Sequence, residues 1–87
     1  MSRKLRPSVY SCPCLTCTQH PKSRRAAEHR AINRLVALLN EKQRRRLVGF
    51  LAGEHGRGGI SALALITGLS RPTIRRGLRE SRQKIPR

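Results

Sequence analysis

ISALALITGLSRPTIRRGL, residues 60–78, is the stretch on which the fold turns. Small and apolar residues recur here as they would in two short helices that cross at a tight turn. Ala64 is small where the two helices must approach closely. Gly68 supplies the left-handed backbone that reverses the chain without a Cβ penalty, and Leu69 tucks into the angle. Ser70 is placed to cap the second helix by accepting from the Thr73 amide, and Pro72 stands in the first turn, where its missing N–H is no loss. Ile74 and Leu78 then face inward with Leu63 and Ile66. Arg71, Thr73, Arg75, Arg76, Arg79 and Arg82 are left on or beside the outer face of a helix predicted from Arg71 to Arg82. Gly77 stands where such motifs carry an aliphatic residue, so the pattern predicts local looseness there.

Upstream, Ala27, Ile32, Leu35, Val36 and Leu39 recur at three- and four-residue intervals and predict an amphipathic helix over 23–39. Asn40 can cap a second helix, NEKQRRRLVGFLAGEHG, with Leu47, Val48, Leu51 and Phe50 inward and Arg44, Arg45 and Arg46 in solvent. Gly56, Gly58 and Gly59 end it. Residues 1–11 are basic, contain Pro7 and show no apolar period, which predicts a flexible arm. The segment 12–21, CPCLTCTQHP, accommodates no regular element. The predicted class is therefore all-α: a small helical bundle with a helix-turn-helix over 23–87, preceded by a basic Cys-rich segment over 1–22. A chain of 87 residues leaves room for one compact domain and little material for a second one or for a deep catalytic cleft. Tyr10 and Phe50 are its only aromatic residues, so the core must be aliphatic.

Twenty Lys and Arg against four acids give a net charge of +16, more than solubility requires, and a polyanion is the natural partner. A solvated arginine-rich surface is the blander explanation. The predicted outer face of 71–82 favours double-stranded DNA, because an arginine fork bonds a phosphate or a guanine edge through two donors at once. Ser70, Arg71, Thr73, Arg75 and Arg76 stand nearest the start of the helix and are the candidates for base edges. Arg79, Arg82 and Lys84 are the candidates for phosphates. RNA is the alternative partner, which a Cys/His knot with a basic surface would suit, although the shortage of aromatic residues counts against base stacking. One recognition helix reads few base pairs, so a homodimer or the arm would add specificity, with the 23–39 stripe as the dimer candidate. The apolar run Ile60–Ile66 is too short for a bilayer or a secretory core, which predicts no membrane association and a cytoplasmic, nucleoid-associated protein.

The segment from Leu39 to Glu80 resembles the N-terminal region of a group of bacterial insertion-sequence transposases. The likeness rests on GRGGI (Gly56–Ile60), TGLS (Thr67–Ser70) and TIRRG (Thr73–Gly77), and covers about half the chain. It implies a DNA-binding module for transposon ends. Those enzymes hold two divalent cations with a triad of acidic residues. Here there is no Asp, and Glu28, Glu41, Glu54 and Glu80 are scattered, so the expectation is a non-catalytic derivative that keeps the DNA-binding part.

Cys12, Cys14, Cys17 and His20 form C-x-C-x2-C-x2-H, a ligand set that suits tetrahedral zinc in a structural role. Four ligands in so short a run need a nearly circular loop. His29 is the substitute for His20 that would tie the knot to the helical domain. A reduced, thiol-rich tail is the alternative without metal, and His55 reads as solvent-facing.

Overall fold

The computed structural model describes residues 9–82. Those residues form five helices and no strand: α1 (Leu15–Gln19), α2 (Arg24–Leu38), α3 (Glu41–His55), α4 (Gly59–Thr67) and α5 (Arg71–Ser81). The caps explain the boundaries. Ser23 accepts from the Ala26 amide at the start of α2. Asn40 and Gln43 bond each other's backbone amides in a reciprocal capping box at the start of α3. Ser70 accepts from Thr73 at the start of α5, which carries Pro72 in its first turn. Between α4 and α5, Gly68 lies at φ 78°, the left-handed turn predicted from TGLS. Most of the flexible arm expected over 1–11, and the phosphate role of Lys84, lie outside the described residues.

The core is aliphatic, as expected: Val36, Val48, Ala52, Leu63, Ile66 and Ile74 are buried together, with Ile32, Leu47, Leu51 and Leu69 packed around them. α3 lies chiefly against α5. Their closest approach is backbone to backbone, because a Cβ on Gly49 would fall 2.8 Å from the Gly77 Cα, and one on Gly77 would fall 2.6 Å from the Arg45 carbonyl carbon. Gly77 is buried at this seam, so the glycine predicted to loosen α5 is what lets α5 dock.

That seam also rotates α3 away from its predicted orientation. The face towards α5 runs through Arg45, Gly49 and Gly53, which turns Phe50 outward to 49 % exposure. Arg44 and Arg45 are not in solvent. Arg44 donates to the Val36 and Leu39 carbonyls at the end of α2 (3.3 and 2.8 Å), and the Arg45 side chain is only 13 % exposed beside Glu80. On α2 the buried positions are Ala26, Asn33 and Val36, while Leu35 points out at 55 %. Asn33 was not foreseen in the core. It is 2 % exposed and donates through Nδ2 to the Ile66 carbonyl (2.8 Å), in the last turn of α4, where a carbonyl has no partner within the helix.

The Cys-rich segment departs from expectation as well, since it contains the single turn α1. The Cys14 sulfur takes the place of a capping oxygen and accepts from the Cys17 amide, while the Thr18 hydroxyl donates to the Cys14 and Leu15 carbonyls. α1 packs on α2, and Cys12 reaches the core.

Candidate metal centre and nucleic-acid interface

The three thiols converge on one nitrogen. Cys12, Cys14 and Cys17 place Sγ 3.5, 3.5 and 3.3 Å from the Nδ1 of His29. These four ligand atoms lie within 4.8 Å of one another, a geometry that can hold a metal ion. The imidazole that completes the group is therefore His29 of α2 and not His20, which caps the end of α1 and faces solvent. The short loop explains the difference. Once α1 has coiled, the chain carries His20 away from the thiols, whereas α2 lies alongside them.

Backbone amides support the sulfurs: Cys14 N–H points to the Cys12 Sγ and Cys17 N–H to the Cys14 Sγ, each at 3.4 Å. The Cys17 amide holds the Cys14 thiol below its ordinary pKa. Burial raises that of Cys12, and burial together with the neighbouring thiols pushes Cys17 up to about 12. Three thiols sharing one small site resist a second and third negative charge, and a bound cation removes that resistance. Burial and the neighbouring Arg25 lower the pKa of His29, which keeps the imidazole neutral and able to ligate at neutral pH.

The second cluster is arginine-rich. On α5, Ile74 and Gly77 are buried while Arg71, Arg75, Arg76, Arg79 and Arg82 are exposed. These are the positions expected on the outer face, but their surroundings differ. Ser70 is exposed and Thr73 half-buried, and they are bonded to each other, hydroxyl to hydroxyl, at 2.8 Å. Arg82 caps the end of α5 and lines a depression with Gly53 and Ile60, on the α3–α4 side of the helix. Arg76 lies 3.3 Å from Glu80.

Glu80 is the residue that sequence reasoning passed over. Arg45 clasps it through two hydrogen bonds of 2.8 Å, and Arg46 adds a third contact at 3.1 Å. These bonds, those of Arg45 foremost, hold its carboxyl down at about 2. The one acid of α5 is thus shared between Arg45 and Arg46 of α3 and Arg76 of α5, and Arg71, Arg75 and Arg79 are left with no acid partner among the described residues. A signal was available: Arg45 lies one helical turn before Gly49 on the same face, and Glu80 is the only acid in the last third of the chain.

No described helix is long and apolar enough to cross a membrane. Comparison with protein-family models, with curated proteins and with solved structures finds no match for this chain.

Proposed function

We propose that this chain is a non-catalytic module that binds double-stranded DNA through α5, with a structural zinc ion holding its N-terminal segment against the helical body. The observation that carries the first part is the outer face of α5. It presents exposed arginines on a helix that follows a left-handed turn, its inner face is buried, and its only acid is held by Arg45 and Arg46 of α3 and, among its own arginines, by Arg76 alone. Such a helix suits a major groove, with Arg71, Arg75 and Arg76 towards base edges and Arg79 towards phosphate. Arg82, set to one side, holds a flanking phosphate. The resemblance of Leu39–Glu80 to insertion-sequence transposases makes transposon ends the expected target. Two copies pairing across the exposed Leu35 and Leu38 of α2 would double the site read.

For the metal, zinc with sulfur at about 2.3 Å and nitrogen at about 2.0–2.1 Å sets tetrahedral S···N edges of roughly 3.5 Å. The observed S···N distances of 3.3–3.5 Å fit that figure. Three thiolates and one imidazole leave no open position, so the role is structural.

The test is fluorescence anisotropy of zinc-loaded protein with random duplex DNA and with RNA over a salt series. Preference for duplex with a steep salt dependence is expected. Equal binding to RNA would mean that charge alone is at work and would overturn the assignment.

A further inference from the structure

A second group of arginines lies beside the thiols, on α2. The Tyr10 ring is seated on Gly68, in the turn before α5, so closely that a Cβ there would fall 2.7–3.0 Å from three ring atoms. From Tyr10 a cleft of about 410 Å³ runs to α2, lined by Ser11, Cys12, Cys17, Arg30 and Arg34. No acid lines it. Both arginines are exposed. Arg30 is steadied by donating Nη1 to the Pro21 carbonyl (2.7 Å), which leaves its remaining donors for a ligand. Two guanidiniums facing the hydroxyl-bearing Ser11 and Tyr10 make a phosphate-binding chemistry.

The cleft has two walls from different parts of the chain. One is the segment 9–12 with Cys17, and the other is α2. Among the described residues they are joined next to the cleft by the sulfurs of Cys12 and Cys17 on His29, the neighbour of Arg30. Thiol-to-imidazole contacts are weak, whereas metal–ligand bonds are strong and fix geometry.

We propose that this cleft is a second contact on the same duplex, in which Arg30 and Arg34 hold backbone phosphates beside the groove entered by α5, and that the metal assembles it. The inference rests on the α5 reading. Adjacency supports it, because Tyr10 lines the cleft and rests its ring on Gly68, in the turn that launches α5. The contact is to backbone and carries no base preference.

The experiment compares salt dependences of duplex binding for zinc-loaded protein, for Arg30→Ala plus Arg34→Ala, and for both after zinc removal by a chelator. Each phosphate contact contributes about 0.9 to the slope of log K against log salt, so losing two lowers the slope by roughly 1.8, or about 60-fold in affinity at ~0.1 M salt. The double variant should show that loss with an unchanged helical circular dichroism signal and an unchanged base preference. Chelation of wild type should reproduce it with the helical signal kept, and chelation of the variant should add nothing. A variant slope equal to wild type would overturn the cleft, and an unchanged wild-type slope after chelation would overturn its assembly by metal, as would collapse of the helical signal. Failure of wild type to bind duplex, or undiminished binding by Arg75→Ala plus Arg76→Ala, would instead strike at the α5 reading.

Discussion

Replacing Gly77 with alanine tests whether α5 is held by backbone contact with α3. In an isolated helix the change would stabilise by about 1 kcal/mol, since glycine is the poorer helix former. Here the new Cβ would lie 2.6 Å from the Arg45 carbonyl carbon and overlap its oxygen, with backbone on both sides and no rotamer that relieves it. The helices must part by roughly 1 Å, a gap that forfeits up to half of the contact energy across the seam. Val48 and Ile74 are both 0 % exposed there, and burial of each is worth about 1.5–3 kcal/mol. Loosened packing and overlap together cost about 3 kcal/mol, within the range for overpacked cores, which leaves a net destabilisation of about 2 kcal/mol. For a domain of this size that lowers the melting temperature by roughly 8–16 °C. Gly53→Ala is the control, because its Cβ would meet only movable side-chain ends, Leu78 Cδ1 at 2.8 Å and Arg82 Nη2 at 3.9 Å, and it should melt at or slightly above wild type. Thermal and urea unfolding followed by circular dichroism give both values. A Gly77→Ala protein as stable as wild type would refute the backbone seam and with it the placement of α5.

Three further outcomes are expected. Zinc titrations followed by cobalt substitution should show one tetrahedral, thiolate-rich site that loses affinity in His29→Ala and keeps it in His20→Ala; the reverse order would mean that the histidine assignment is mistaken. Because the Glu80 carboxyl is depressed to about 2 from an ordinary value of 4.5, its contribution to stability is complete above pH ~4.5 and is lost as the pH falls towards 2. Glu80→Gln should flatten the acid limb of a stability-against-pH curve over that window, and an unchanged limb would mean that the arginine clasp is not felt in solution. Asn33→Ala removes the partner of a buried α4 carbonyl and should cost about 1–3 kcal/mol in urea unfolding, against no change if water replaces the amide.

The helices were legible where local chemistry sets their ends. Asn40, Gly68, Ser70 and Pro72 act on backbone groups within a few residues, so their roles could be read directly, whereas the cap at Ser23 reads from the sequence as part of the helix. The helix-turn-helix corner and the exposed arginines of α5 followed from the same local rules. What was not legible depends on which faces meet. Gly77 read as a flaw until Gly49 was found opposite it, and that pairing turned Phe50 out and brought Arg45 to Glu80. Leu35 shows the same limit, since an apolar stripe says that a helix is amphipathic but not how far its partners extend. In the metal group, the three cysteines were identified from spacing alone. The choice between His20 and His29 depended on how α1 packs on α2, because α1 is a single turn capped by a sulfur rather than by one of the usual residues.

The most direct measurement of the central claim is the duplex affinity and base preference of Arg75→Ala plus Arg76→Ala, beside Arg79→Ala, in a selection from random duplexes with zinc-loaded protein. If α5 lies in the major groove, the double variant loses affinity and its base preference relaxes, while Arg79→Ala keeps the preference and loses about 0.9 of salt slope. If the double variant selects the same sequences as wild type with the same affinity, α5 is not the reading helix.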